Sequence, residues 1–206
     1  MHKFLKALDT QRWDDHRYYH QSRINQVLHL ISAVSFLCAY VVLFFDPATA
    51  ALIGWLVSML SRQAGHFFFE PLCYDTVNQA TQEYKESIKV GYNLRRKVVL
   101  MAVWALSPVA LYVDPTLFGL FDPEVVDAGY LHRLGLLWLA IGVGGLMFRM
   151  ANLFILQNVQ TGVVWVAKIM TDPFHDVGLY YKSPVFLLRV QMLDPILSEE
   201  HTEQHA

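Results

Sequence analysis

Charged residues are scarce in this chain, and so are cysteines. Asp, Glu, Lys and Arg make up 17% of the 206 residues, whereas hydrophobic residues make up 54%. This is less charge and more apolar surface than a soluble domain usually carries. The two cysteines, Cys38 and Cys73, lie within and beyond apolar stretches, so they imply no disulfide framework. A net charge of −2 and the lack of a long basic tract argue against a nucleic-acid partner.

Other features that the sequence lacks indicate how the chain is organised. The first residues, MHKFLKALDTQRWDDH, are charged throughout and lack the apolar core and cleavage site of a secretory signal. The sequence contains no internal repeat and no low-complexity segment. We therefore expect one domain over residues 1–206, embedded in a membrane that is either the bacterial inner membrane or the endoplasmic reticulum.

Four apolar stretches are candidates for membrane spans, each of which needs about twenty apolar residues. They cover approximately residues 27–45, 50–69, 98–113 and 134–149, and the third is short and contains Pro108. Buried helices of a soluble bundle are the alternative, but little of the chain is left to form the polar surface of such a bundle. The sequence thus predicts an all-α, multi-pass transmembrane bundle with four spans.

The distribution of Lys and Arg predicts the orientation of these spans. Basic residues precede the first span, occupy the segment between the second and third, and follow the fourth, whereas the loops DPAT and DPTLFGLFDPEVVDAGYL contain none. The positive-inside rule therefore predicts that both termini are cytoplasmic. A fifth crossing would take Lys168, Lys182 and Arg189 outside. We therefore expect the helix to leave the membrane near Arg149 and to continue, bent or broken, into an amphipathic tail of residues 150–206 on the cytoplasmic side.

Histidines mark the cytoplasmic ends of the first two spans. His29 lies 17 residues before Asp46, in the DPAT turn, and His66 lies at a similar distance after that turn. At 1.5 Å per residue, both are about 26–29 Å from the turn, near the inner edge of the hydrocarbon. Antiparallel packing then predicts that His29 lies beside His66 and, one turn further in, that Asn25 lies beside Glu70.

The amino-terminal segment adds two imidazoles to this region. His16 and His20 have i,i+4 spacing and so share a helix face. His20 and His29 fall on opposite sides of one ideal helix, so the chain must bend between them, at QSR, if both face one site. Gly65, directly before His66, lets a neighbouring helix approach closely.

Imidazoles and a carboxylate at a membrane edge predict a metal site, since imidazole suits iron and other first-row metals. The simpler alternative is that His29 and His66 hydrogen-bond to each other or to Asn25. Arg62, one turn before His66, either extends to the interface or pairs with a substrate carboxylate. His175, in the tail, either binds the metal or caps a helix. The candidate ligands are His16, His20, His29, His66, Glu70 and His175.

Two motifs in this region resemble those of a known family. YHQSRINQVLH resembles the YH-x4-N-x3-H signature of the Mpo1-like 2-hydroxy fatty acid dioxygenases, and GHFFFE resembles their GH-x2-FE segment. The similarity covers about the first seventy residues. Arg62 stands where family members tend to have Gln, and PLCYD stands in place of their Pro-Ala-Leu. Five residues fall on the motif positions: His20, Asn25, His29, His66 and Glu70.

The resemblance implies a membrane enzyme of fatty acid α-oxidation that depends on non-haem iron(II). Such an enzyme uses O2 to cleave a 2-hydroxy fatty acid between its first two carbons, which gives the acid one carbon shorter. The catalytic residues are then His20, His29, His66 and Glu70. Arg62 and Asn25 are the residues expected near the substrate, and the active site is expected on the cytoplasmic side of the membrane, in contact with membrane lipid.

Three other functions fit parts of the pattern. A membrane di-iron hydroxylase or desaturase needs about eight histidines in several clusters, but near the site only His16 and His20 have such spacing. A haem-binding membrane protein could use His29 and His66 as axial ligands. A non-enzymatic helix bundle could bind lipid, with its histidines hydrogen-bonded.

Overall fold

A computed structural model of the chain describes residues 2–70, 74–75, 78–88 and 94–194, and within these ranges it is all-helical. Cys73 and the last part of the predicted tail lie outside the described residues. The helices are α1 (His2–Tyr19), α2 (Arg23–Val42), α3 (Pro47–Ile53), a π-helical segment (Gly54–Met59), α4 (Leu60–Phe68), α5 (Gln82–Ile88), α6 (Leu94–Val113), α7 (Pro123–Asp127), α8 (Tyr130–Leu156), α9 (Val159–Tyr180) and α10 (Ser183–Leu188).

The helix is interrupted between α1 and α2, where the histidine positions predicted a bend. The last carbonyl groups of a helix have no partner within it, so they need another donor. Here the Asn25 side-chain amide donates to the carbonyl of Tyr19 at 2.7 Å, and the Gln26 amide donates to the carbonyl of His20 at 2.8 Å. The first turn of α2 therefore fixes the end of α1, and the predicted bend is confirmed.

A hairpin follows, in which α2 packs against α3, the π-helical segment and α4. Its turn is ordered by Asp46, whose carboxylate accepts hydrogen bonds from the backbone N–H groups of Ala48 and Thr49 at 3.1 Å each. At the other end of the hairpin, a Cβ on Gly65 would lie 2.1 Å from Asn25 Oδ1. The close helix approach predicted at Gly65 is therefore confirmed.

A tryptophan cluster joins the turn end of the hairpin to α6 and α8. The Trp55 indole N–H donates to the carbonyl of Trp138 at 2.9 Å, and the Trp138 indole N–H donates to Ser107 Oγ at 2.9 Å. Both buried indoles thus have a hydrogen-bond partner, as amphipathic aromatic rings require. This core lies at the end of the hairpin opposite to the histidines, which leaves the histidine end to pack against other helices.

The histidine end is covered by α9, which packs against α1, α2 and α8. The helix continues past Arg149, as expected, and is broken after Leu156, where α8 ends. Asn158 then caps α9 by accepting a hydrogen bond from the backbone N–H of Thr161 at 2.8 Å. The first part of the predicted tail is therefore a long helix against the hairpin.

A buried polar network fixes the segment after α10 to the start of α2. The Arg23 guanidinium donates to Asp194 Oδ1 at 3.0 Å, and the Gln26 amide donates to Asp194 Oδ2 at 2.8 Å. The Ser183 hydroxyl donates to Gln26 Oε1 at 2.6 Å. Buried charges need such partners, and here they hold the carboxy-terminal end of the described chain beside the bend.

Two helices, α2 and α8, are long and apolar enough to cross a membrane by length and composition. Only 6% of the apolar stretch of α8 is buried, whereas the core helix of a soluble protein is mostly buried. A shorter apolar helix covers Val98–Val113 within α6. The predicted all-helical class is confirmed for the described ranges, whereas the four spans and the position of the termini stay predictions.

Candidate metal centre

Three histidines from three elements meet between α2, α4 and the bend. One ring nitrogen from each of His20, His29 and His66 lies within 4.8 Å of the other two. The ring centroids of His29 and His66 are 4.9 Å apart, and those of His20 and His29 are 3.9 Å apart. The predicted juxtaposition of His29 and His66 is confirmed. We call these three residues the histidine triad.

Each member of the triad has an oxygen atom near its Nδ1. The Tyr180 hydroxyl lies 2.8 Å from Nδ1 of His20, and Glu70 Oε2 lies 2.8 Å from Nδ1 of His66. Asp176 Oδ2 is 3.8 Å from Nδ1 of His29, which is beyond hydrogen-bond distance. Partners of this kind set the tautomer and orientation of metal-binding histidines.

Several buried polar atoms at the triad have no hydrogen-bond partner in the described part of the chain. They are Nε2 of His20, both ring nitrogens of His29 and Oδ2 of Asp176. Buried polar groups are usually hydrogen-bonded, so such atoms need an explanation such as a bound ion. His29 is fully buried and His20 is only 3% exposed, so bulk water does not solvate these nitrogens.

The protonation states of the groups around the triad follow from burial. Burial lowers the pKa of His20 well below its ordinary value, and the neighbouring His29 adds to the effect. Burial also lowers the pKa of His16 and raises the pKa of Tyr180 well above the range of an exposed phenol. His16 and His20 are therefore neutral at pH 7 and Tyr180 keeps its proton. Neutral imidazole is the form that binds metals.

A small cleft leads to the triad between α1, α4 and α9, and charged side chains line it. Lys168 Nζ lies 2.8 Å from Asp172 and also contacts Asp15. Burial lowers the pKa of Lys168, but these two carboxylates outweigh that effect and leave it raised. The cleft holds three cationic and three acidic side chains, namely Arg12, Arg62, Lys168, Asp15, Asp172 and Asp176.

Among the three cations of this cleft, Arg62 lies at the longest distances from the carboxylates. Its guanidinium nitrogens are 3.8 Å from Asp172 and 3.7 Å from Asp176, so both contacts are ion pairs beyond hydrogen-bond distance. It lines the cleft together with His20 and Tyr180. Arg62 is thus positioned to pair with an anionic group that enters the cleft.

The other predicted site residues lie around the triad. His16 is buried with its Nδ1 3.1 Å from the Tyr180 hydroxyl, and Glu70 contacts His66. Asn25 is fully buried and braces the bend through Tyr19. It packs on Gly65, and its position beside Glu70 stays a prediction.

His175 is on the cleft wall rather than in the triad. Partial burial and the nearby charge of Arg12 lower its pKa. Metal ligation by His16, Glu70 and His175, and substrate contact by Asn25, stay predictions.

The sequence pointed to His175 in α9, with its neighbours Asp172 and Asp176, but it did not indicate a role in the site for Tyr180 or Lys168. Tyr180, Asp176, Asp172 and Lys168 all come from this helix and face the triad or the cleft. A usable signal existed, because Lys168, Asp172 and Asp176 follow each other at i,i+4 spacing and so form a charged stripe on one helix face. An isolated tyrosine gives no such signal.

The triad fits a small divalent ion of the first transition series. Two nitrogen ligands at about 2.1 Å from one ion lie at most about 4.2 Å apart, so small shifts of the rings suffice. Imidazole nitrogens are donors that suit such ions, and Nε2 of His20 and both ring nitrogens of His29 have no hydrogen-bond partner in the described part of the chain. Comparisons with models of protein families, with curated proteins and with solved structures gave no match for this chain.

Proposed function

We propose that the protein is an integral membrane enzyme that binds iron(II) and uses O2 to convert 2-hydroxy fatty acids to acids one carbon shorter. The proposal depends above all on the histidine triad, in which His20 and His29 carry buried ring nitrogens without a hydrogen-bond partner. Three imidazoles also suit zinc, copper or nickel. Iron and the substrate class therefore come from the motif resemblance.

The proposed membrane topology has four spans with both termini in the cytoplasm. Besides α2 and α8, it uses the continuous helical run Pro47–Phe68 and the apolar part of α6. Large apolar side chains are exposed at the ends of these helices remote from the triad, with Phe45 at 83% and Val113 at 77%. Lipid would cover such a surface. The triad would then lie near the cytoplasmic face of the bilayer.

The charge of the site supports an anionic chelating substrate. Imidazole ligands add no negative charge, and the Glu70 carboxylate beside His66 compensates only part of the charge of a divalent cation. The side chains of the cleft balance one another, three against three. The carboxylate and hydroxyl oxygens of a 2-hydroxy acid supply negative charge to the metal. Arg62 can pair with the carboxylate, and the acyl chain remains in the lipid. A bound iron(II) ion supplies the one-electron chemistry that reaction with O2 requires.

Haem binding by His29 and His66 is less compatible with the geometry. A haem macrocycle has to lie between its two axial ligands. The centroids of these rings are only 4.9 Å apart, and a third imidazole, His20, lies 3.9 Å from one of them. A bundle that only binds lipid explains the exposed apolar surface but leaves the unpartnered ring nitrogens unexplained.

The experiment is anaerobic loading of the purified protein with iron(II), followed by a 2-hydroxy fatty acid and O2. We expect the acid one carbon shorter, detected by mass spectrometry, and about one bound iron per chain. His66→Ala should abolish both with the helical circular dichroism unchanged. His132→Ala, a histidine distant from the triad, should retain both.

Each contrary result has a distinct meaning. Full turnover by His66→Ala would remove the triad from the reaction. A Soret band in the purified protein would indicate haem, and a protein without any metal would support the lipid-binding bundle.

A further inference from the structure

One buried hydroxyl group links two histidines of the amino-terminal segment. Tyr180, the last residue of α9, is 1% exposed. Its hydroxyl lies 2.8 Å from Nδ1 of His20 and 3.1 Å from Nδ1 of His16. His20 belongs to the triad, whereas His16 does not, so the hydroxyl joins a proposed ligand to a histidine outside the ligand group.

The hydrogen atoms in this chain of three groups can be counted. A phenol has one hydrogen to donate, and a neutral imidazole carries a hydrogen on only one of its two nitrogens. If His20 donates from Nδ1 to Tyr180, then Tyr180 donates to Nδ1 of His16 and Nε2 of His20 keeps a lone pair. In the reverse arrangement Tyr180 donates to His20, and Nε2 of His20 carries a hydrogen that blocks metal binding.

We infer that Tyr180 and His16 are positioning residues that hold His20 in the tautomer whose Nε2 faces the metal. This inference rests on the metal centre of the proposed function. His16 acts here as the acceptor of the hydrogen bond that the Tyr180 hydroxyl donates. Nε2 of His20 is buried without a hydrogen-bond partner in the described part of the chain, which suits a lone pair that awaits a cation.

The inference gives His16 a role that differs from that of a ligand. Without an acceptor at position 16, the Tyr180 hydroxyl turns to Nδ1 of His20 and stabilises the wrong tautomer. His16→Leu therefore weakens metal binding although His16 touches no metal. Asn Oδ1 occupies nearly the position of His Nδ1, two bonds from Cβ, so His16→Asn keeps an acceptor and the correct arrangement.

The test compares the affinity of variants for Co2+ alone, followed by its absorption in the purified full-length protein. Because partners of ligand histidines change metal affinity by about 10–100-fold, we expect a loss of that size for Tyr180→Phe and for His16→Leu. His16→Asn should bind within about threefold of the wild type. So should Tyr181→Phe, a control at a neighbouring exposed tyrosine. The double variant Tyr180→Phe with His16→Leu should bind no more weakly than Tyr180→Phe.

The nitrogen chemical shifts of the His20 ring in metal-free protein provide a second measurement. They should report hydrogen on Nδ1 in the wild type and on Nε2 in His16→Leu. Unchanged shifts in His16→Leu, or full Co2+ affinity in Tyr180→Phe, would overturn the inference. Equal losses in His16→Asn and His16→Leu would instead make His16 a ligand. If the wild type binds no metal, but the His20 tautomer still differs between the wild type and His16→Leu, the metal centre of the proposed function is refuted. Only the control of the His20 tautomer by Tyr180 and His16 then remains.

Discussion

At the scale of single residues, the contact between Gly65 and Asn25 determines how closely α4 approaches α2. Asn25 is fully buried, and its amide is held by the carbonyl of Tyr19, so its side chain has little freedom to move. His29 lies next to the same glycine, with Cδ2 3.5 Å from the position of a Cβ. The geometry of the triad therefore depends on Gly65, which has no methyl group to separate α4 from α2.

Replacement of Gly65 by Ala should destabilise the protein, because the new Cβ would lie 2.1 Å from Asn25 Oδ1. Overpacking of this kind costs about 1–3 kcal/mol. Gly144→Ala is the matched control, since a Cβ there meets no atom within 4 Å. It should stabilise α8 by about 0.5–1 kcal/mol, because Ala favours a helix over Gly. Thermal unfolding in detergent measures both, and equal effects would contradict the close contact.

At the scale of elements, the π-helical segment determines the direction in which the His66 side chain of α4 points. Such a segment holds one more residue than the α-helical path and often lies near functional sites. Because an α-helix turns about 100° per residue, the extra residue rotates all of α4 by about that angle. Arg62, Gly65 and His66 all follow the segment in the chain.

Deletion of Leu56 removes the extra residue, so the segment should close into a regular α-helix with His66 still facing His29. Deletion of Ser61, in the α-helical part that follows, should instead turn His66 away by about 100°. We expect Co2+ affinity to be kept in the Leu56 deletion and lost in the Ser61 deletion, with the helical circular dichroism unchanged in both. Deletion of Leu120, an exposed residue of the loop after α6, shortens the chain equally and should leave the affinity intact. Loss of metal binding after the Leu56 deletion would show that the π-helical turn does not hold a single extra residue.

Those features of the site that depend on local helix geometry could be predicted from the sequence. The constant rise of a helix gave the pairing of His29 with His66, and the 3.6-residue repeat gave the break after His20. The π-helical segment could not be predicted, because its residues have ordinary helix-forming character. Nor could Tyr180, because it reaches His20 across 160 positions of sequence.

The path of the chain after Arg149 could be predicted in part. Apolar residues continue past Arg149 through NLFIL, and the helix continues with them to Leu156 before α9 begins at Val159, which agrees with the expected broken helix. The packing of α9 against the hairpin is a tertiary contact that no local pattern encodes.

At the scale of the whole molecule, the distribution of charge predicts which ends of the helices face the cytoplasm. For a test, Cys38 and Cys73 are replaced by Ala and one cysteine is introduced at an exposed position. Phe118→Cys should react with an impermeant maleimide on intact spheroplasts. Lys6→Cys and Lys182→Cys should react only after permeabilisation, because both belong to the basic side. Labelling of Lys182→Cys from outside would mean a fifth crossing.

The separation of 160 residues between His20 and Tyr180 also affects the order of events during synthesis of the chain. The hairpin ends at Phe68, 112 residues before Tyr180. A nascent chain grows by about 5–20 residues per second, so the hairpin is complete about 6–22 s before Tyr180 is made. During that interval the proposed hydrogen-bond control of His20 is absent. Under our inference, a metal ion that binds to the newly synthesised hairpin is bound weakly. Full affinity for the ion is reached only when α9 is complete.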